Sequence, residues 1–387
     1  MTNFYGDYKA LRDLLFLRNI QNRNFCLLGV SPISKYVVTA VLNAATNLKA
    51  PIIFIASLNQ INVDGGYTGW TPKQFSEYIN NYMKNLHENN TLIFLQLDHG
   101  GPWLRDEHLL KNLSYEEAVD DFLKSLNEFI KAGFSLIHID TTIDLNKPDR
   151  NAEPDVAAYR TVELIEYSED MAKQHGVDIG YEIGSDRWGY KSPEIIDKFI
   201  ELTMSRLKSR GINIEKIVFG VADVGTEVVP YNKANLLIIS TFSKIMQKHN
   251  IYLKIHSGDY LTHLEYLILE NVGGINVGPM FAHTMYSTFK RIIFENLEKE
   301  LANELITKLN TIIASADRLR KYLIDINKVE EYKLGLASRY IWSKNELEIF
   351  LNDVNKHLGF DIRNHLVKSL EEEVYRYFIR LGLHRII

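Results

Sequence analysis

TLIFLQLDHGGPW, residues 91–103, is an apolar run that ends on an acid, a histidine and two glycines. A strand with one wet face alternates apolar and polar residues, whereas a strand covered on both faces reads as a nearly continuous apolar run. Leu92 to Leu97 follows the second pattern, which belongs to parallel sheets flanked by helices. Neighbouring side chains on a strand point to opposite faces, so only one of Asp98 and His99 can follow the inward pattern. Alternation with Phe94 and Gln96 makes that residue Asp98, and His99 belongs to the turn.

Seven more runs of the same kind surround this one: FCLLGV (25–30), PIIFIAS (51–57), FSLIHID (134–140), VDIGYEI (177–183), KIVFGVA (216–222), IYLKIHS (251–257) and GGINVGP (273–279). Helical signals lie between them. Ser114 and Glu117 form a capping box, after which Val119, Phe122, Leu123, Leu126, Phe129 and Ile130 recur at helical spacing until Ala132 and Gly133. Eight strand-helix units, with no glycine fingerprint after the first strand, predict a closed (β/α)8 TIM barrel over residues 1–300 in preference to an open doubly wound sheet. Residues 301–387 read as a helical C-terminal extension packed on the barrel or at a subunit interface. Its aromatic stretches, EEYKLGLASRYIWS (330–343) and EEEVYRYFIRLGLHRII (371–387), suit a core or interface better than a cofactor site.

Composition excludes several classes. With 46% hydrophobic and 24% charged residues, the 387-residue chain is long enough for one large α/β domain plus an extension and is not of disordered type. A formal net charge of −5 without a basic cluster speaks against nucleic-acid binding. Cys26 is the only cysteine, so no disulfide forms within the chain. No apolar run approaches a membrane span, and the amino terminus lacks a signal-peptide stretch, so the expected setting is cytoplasmic and membrane-free. The expected assembly is a homo-oligomer.

Chemistry in such barrels sits at the carboxyl ends of the strands. There the runs carry Asp98 and His99, then His138 and Asp140, then Glu182, then Asp223 and Glu227, then Lys254 and His256. Period-two spacing puts His138 with Asp140, Lys254 with His256, and Asp178 with Gly180 and Glu182 on shared inward faces. Desolvating so many ionisable groups is costly unless a cation or mutual pairing compensates. Imidazole and carboxylate are ligands expected of a divalent metal such as Zn2+, with His99 and His256 the leading candidates. Lys254 opens a rival, Schiff-base chemistry on a ketose, against the plainer reading of a lysine paired with Asp98 or Glu182. For anion binding, the loops after the seventh and eighth strands offer Ser257, Gly258, Asn276 and Gly278, and the glycine-rich loop after the second offers Asn59, Gln60, Gly65 and Gly66. Each glycine is equally read as a turn residue.

The stretches NQINVDGGYTGWTP, LDHGGP, AGFSLIHID, IHSGDY and INVGPMF, in this order and at these separations, resemble the Z-type subunit family of tagatose-bisphosphate aldolase, within the class II aldolase (β/α)8 superfamily that also has ketose epimerase relatives. SRYIW (338–342) is similar to a stretch in that family's tail. The resemblance implies a barrel that holds zinc and handles ketose phosphates. It implies metal binding for His99 and His256 and acid or base work for Asp98, with Asp140 or Glu182 as a second proton carrier. A further histidine is expected after the sixth strand, where this chain has ADVGTE (222–227). Glu182, Asp140, Asp223 or Glu227 would then complete the metal sphere. Two functions stay open: a zinc-dependent enzyme cleaving or epimerising a ketose or ketose phosphate of tagatose or fructose type, and a non-catalytic subunit that stabilises a catalytic aldolase subunit.

Overall fold

Each of the eight apolar runs forms a strand: β1 (Leu27–Val30), β2 (Ile52–Ser57), β3 (Ile93–Gly100), β4 (Leu136–Ile139), β5 (Gly180–Ser185), β6 (Ile217–Ala222), β7 (Tyr252–Ile255) and β8 (Gly274–Val277). All pair in parallel with their neighbours in chain order, and β1 closes on β8 from Leu27 opposite Gly274 to Val30 opposite Val277. The (β/α)8 barrel is therefore complete. The structure is a computed structural model that describes residues 5–21, 24–86, 91–187, 192–316 and 330–386.

The helices that cover the sheet are α1 (Tyr8–Gln21), α2 (Lys35–Leu48), α3 (Pro72–Asn85), α4 (Asp106–Leu110), α5 (Tyr115–Lys131), α6 (Pro154–His175), α7 (Pro193–Ser209), α8 (Leu236–Lys248), α9 (Glu265–Leu269) and α10 (Pro279–Asn296). Local chemistry explains their starts. Ser114 accepts the Glu117 N–H while the Glu117 side chain takes the Ser114 N–H, so α5 opens on the expected capping box; Thr71 and Gln74 do the same for α3, with Pro72 in its first turn. Phe122, Leu126, Phe129 and Ile130 of α5 are all buried, as the spacing predicts. Gly133 follows the helix with φ of 92°, a conformation that costs glycine little.

Four helices extend the barrel: α11 (Lys299–Ala314), α12 (Glu331–Ala337), α13 (Asn345–Leu358) and α14 (Ile362–Arg380). α14 packs on α2 and α10, and α12 packs on α10. One apolar core runs without a break from the barrel into these helices and includes Trp342, Leu370 and Tyr377. The stretch 301–387 also includes residues 317–329 and Ile387, which lie outside the described residues. Among the described residues no helix is long and apolar enough to cross a membrane.

One expectation about register is corrected. Asp178 precedes β5, so it lies at the barrel's floor and not on the inward face beside Glu182; there it pairs with Lys9 at 2.6 Å and Lys216 at 3.4 Å. Period two shows which side chains share a face, but not where the strand begins.

Candidate metal centre

The turn after β3 decides the geometry of the mouth. β3 pairs Leu97 with Ile137 and Gly100 with Ile139, so Asp98 and His99 together lie opposite the single residue His138. His99 takes a left-handed backbone with φ of 49°. A bulge of this kind re-aims side chains, and it sends both members of the pair into the mouth, where strict alternation allows only one. The two glycines are required by the close approach to β4. A Cβ on Gly100 would stand 2.7 Å from the His138 carbonyl oxygen, and one on Gly101 only 2.1 Å from that of Asp140.

His99 and His256 are each held by a buried acid. His99 Nδ1 lies 3.3 Å from Asp140 Oδ2, and His256 Nε2 lies 2.9 Å from Glu182 Oε1. When those nitrogens carry the protons, His99 Nε2 and His256 Nδ1 are left with lone pairs, and these two atoms face each other at 3.1 Å. A histidine that donates one ring N–H to a carboxylate and turns the other nitrogen outward has the arrangement of a metal ligand. Two lone pairs this close repel unless a proton on one of them, as in an imidazolium donating to its neighbour, or a metal cation lies between them. Asp186 Oδ2, 3.9 Å from His256 Nδ1, completes a group of three ligand-type side chains. A tetrahedral zinc with bonds of about 2.0–2.1 Å would set its ligand atoms roughly 3.3 Å apart, close to the spacing of the two nitrogens.

The electrostatics agree with that fit. Burial alone would lower the His99 pKa, but Asp98, Asp140 and Asp186 together push it up to about 10. The field of these acids thus calls for a positive charge at the imidazole. Burial would raise Asp140, yet His99, His138 and the Thr142 hydroxyl, which donates at 2.6 Å, hold it down at about 2. Asp98 behaves alike: burial opposes ionisation, but His99, His256 and His138 hold its carboxyl well below the usual range.

A second, closed group lies beneath. His138 donates through Nε2 to the Gly184 carbonyl at 3.0 Å, and its Nδ1 lies 3.2 Å from Asp98 Oδ1. Glu182 accepts from Lys254 at 2.8 Å and from Gln96 at 2.7 Å. Lys254 is fully buried and bonded to both Glu182 and Gln96, which is the plain pairing expected of it and leaves it off the mouth cavity. Asp98, His138, Glu182 and His256 also stand close enough to hold an ion through His256 Nε2. That group would surround an ion with four protein ligands, the pattern of a structural site, whereas His99, Asp186 and His256 leave a position open, the pattern of a catalytic one.

The remaining candidates divide. Glu227 is exposed, and neither it nor Asp223, which accepts the Gly225 N–H at 2.8 Å, belongs to either group of ligand-type side chains; the expected metal role of Glu227 finds no geometry. Asn59, Gln60, Ser257, Asn276 and Gly278 line a mouth cavity of about 850 Å³ together with Asp98, His99 and His256. Asn276 Nδ2 reaches Asp98 Oδ1 at 3.5 Å, while its buried Oδ1 has no hydrogen-bond partner. The expected anion amides are used elsewhere. Gly65 donates to the Asn62 carbonyl at 2.8 Å, Gly66 to Asp64 at 3.1 Å, Gly258 to the Asn276 carbonyl at 2.8 Å, and Gly278 to Asp259 at 3.2 Å. Sequence reasoning missed Asp186, which lies one residue past β5 and four past Glu182, so the strand-end rule could have found it. His138 was placed on the inward face but was not singled out as a candidate ligand. Arg339 and Lys333, which also line the mouth, come from the extension and carry no strand-end signal.

Comparison with known proteins bears on this site. Residues 12–358 match the family described as D-tagatose-1,6-bisphosphate aldolase subunit GatZ/KbaZ-like. Among solved structures, a probable tagatose 6 phosphate kinase from Sinorhizobium meliloti 1021 superposes with a TM-score of 0.71 at 21% identity, over 92% of this chain and 100% of that one. The fructuronate-tagaturonate epimerase UxaE from Cohnella laeviribosi gives 0.52 at 12% identity, over 97% of this chain and 84% of that one. The fructose-bisphosphate aldolase Fba from Campylobacter jejuni gives 0.51 at 14% identity, over 93% and 97%. At these identities the structures share the fold.

Proposed function

The chain belongs to the D-tagatose-1,6-bisphosphate aldolase subunit GatZ/KbaZ-like family, and from that premise we propose that it is a divalent-metal enzyme, with zinc the expected ion, that cleaves or epimerises a ketose phosphate of tagatose or fructose type. The observation that carries this reading is the pair of opposed imidazole nitrogens, His99 Nε2 and His256 Nδ1, 3.1 Å apart at the edge of the mouth cavity. His99, His256 and Asp186 would hold the ion. Bound there, a divalent ion supplies Lewis acidity to a carbonyl or hydroxyl oxygen. Asp140 and Glu182, expected to carry protons, act through the histidines instead: each fixes the ring proton on the nitrogen that faces away from the site.

Asp98 is the proton carrier. Its carboxylate is ionised, lines the cavity and is oriented by His138 and Asn276. In retro-aldol cleavage it takes the proton of the hydroxyl beside the breaking carbon–carbon bond; a proton then returns to the carbon that keeps the electron pair. In epimerisation it removes a proton from carbon directly, and a proton returned to the opposite face of that carbon completes the inversion. Asn276, whose buried Oδ1 has no hydrogen-bond partner, offers an acceptor to a sugar hydroxyl. A second reading, a non-catalytic partner of an aldolase subunit, is favoured by one observation: the loop after β6 brings no ligand-type side chain to the centre.

The test is turnover of ketose phosphates by the zinc-loaded full chain, followed by NMR, for the native protein and Asp98→Asn. The expected result is retained metal with turnover lowered roughly 10²-fold, the scale of a lost general base. An equally active Asp98→Asn chain removes the proton role. A metal-loaded native chain inert to every ketose phosphate favours the partner reading.

A further inference from the structure

The loop after β7, HSGDY (256–260), is fastened from three sides. Gly258 donates to the Asn276 carbonyl of β8 at 2.8 Å, and the Tyr377 hydroxyl of α14 donates to the Gly258 carbonyl at 2.9 Å. Asn232, from the loop after β6, donates to the carbonyls of Ser257 at 2.8 Å and Asp259 at 3.0 Å. A Cβ on Gly258 would stand 2.3 Å from the Ile275 side chain, so the loop lies directly on β8. Its acid, Asp259, is thereby set against the amino end of α10 and is only 1% exposed.

Barrels commonly seat a phosphate at this place, on helix N–H groups beside the loops after the seventh and eighth strands. Here those N–H groups are engaged within the protein. Met280 donates to Asp259 Oδ1 at 2.7 Å and Gly278 to the same oxygen at 3.2 Å. Pro279 has no N–H, and Phe281 donates to the Gly278 carbonyl at 3.1 Å. Burial pushes the Asp259 carboxyl up to about 6, while the two amides and the charge of Arg339 oppose the shift, so the group is ionised at neutral pH. Asp259 shares the cavity wall with Asn276, 4% exposed, whose Oδ1 has no hydrogen-bond partner among the described residues. Asp259 Oδ2 meets the Gly278 N–H only at 3.4 Å. Both side chains thus present acceptors. A phosphate monoester, largely a dianion at neutral pH, brings acceptors and more negative charge, whereas a hydroxyl brings a donor.

We propose that Asp259 sets substrate choice by filling the phosphate seat at α10, so that the end of the ketose against β7 and β8 is a free hydroxymethyl group and the mouth takes a ketose with one phosphate, at its other end, in preference to a bisphosphate. The carboxylate stands where the phosphate charge would be. Its backbone is held by Asn232 and Tyr377, so it does not swing aside, and a like charge placed against it is repelled.

The ketose rests on the function proposed above, whereas exclusion of phosphate from α10 does not, and the test has an arm for each. In the first, the amide NMR signals of Gly278 and Met280 are followed in the full chain as inorganic phosphate is added, for native protein, Asp259→Gly and Asp259→Ser. The native signals are expected to stay in place and those of the two variants to shift with saturation. Phosphate-dependent shifts in the native chain, or none in a folded variant, overturn the inference. In the second arm, the zinc-loaded full chain carrying Asp98→Asn, whose turnover is low, is titrated calorimetrically with the two monophosphates and the bisphosphate of D-tagatose. One monophosphate is expected to bind roughly 10-fold or more tightly than the bisphosphate, the scale of an unrelieved like-charge contact, and adding Asp259→Ser should erase the difference. A bisphosphate bound as tightly as the better monophosphate overturns the inference and leaves the proposed function standing. If none of the three sugars binds while phosphate shifts the variants alone, the proposed function fails and the exclusion at α10 stands.

Discussion

β5 and β6 lie side by side in the barrel, and each carries an acid toward the mouth, one on its strand and one beyond it. Glu182 is on the strand itself, fully buried, with one oxygen taken by Lys254 and Gln96 and the other by His256. Glu227 lies five residues past the end of β6, after Gly225 with φ of 80°, and its side chain is exposed. The difference is one of support. An acid on an inward strand position is surrounded by groups the neighbouring strands also point inward, and their charges hold it ionised although burial opposes this; its pKa falls below the usual range. An acid on a loop beyond the strand meets water, and nothing fixes its direction.

Removing the Glu182 charge should have the largest effect. Glu182→Gln keeps the shape but leaves the Lys254 ammonium buried without a counter-charge, and breaking a buried pair in this way costs roughly 3–5 kcal/mol. Urea unfolding at neutral pH measures it. A loss under about 1 kcal/mol, the range of an exposed pair, would mean that the network is not what holds Glu182, and the contrast between the two strands would fail. Glu227→Gln should do least: a stability change within about 0.5 kcal/mol, as for surface positions, and unaltered metal content. Metal loss in Glu227→Gln would return that residue to the ion's ligands and reverse the comparison.

The same contrast explains how far the sequence could be read. All eight strands were visible as apolar runs because a parallel barrel strand is covered on both faces, and the α5 start was visible because Ser114 and Glu117 make a local, self-contained cap. His256 and Glu182 were legible for the same reason: they lie on or just after a regular strand. His99 was legible as a ligand candidate, yet its direction was not, since the extra residue opposite His138 is a property of pairing between strands and not of either strand alone. Asp178 and Glu227 lie outside what strand periodicity places, one before its strand and one too far beyond. The seat of Asp259 on the α10 amides and the arrival of Arg339 in the wall of the mouth cavity depend on contacts between segments far apart in the chain, and no local spacing encodes them.

The central claim is that His99 and His256, backed by Asp140 and Glu182, share one divalent ion. The most direct measurement is metal content and zinc X-ray absorption on the full chain as native protein, His99→Ala and His256→Ala, with thermal midpoints recorded to exclude unfolding. The account predicts one zinc per native chain with imidazole nitrogens at about 2.0–2.1 Å, and loss of that zinc in either variant. Retention of zinc at native affinity in both variants would contradict it.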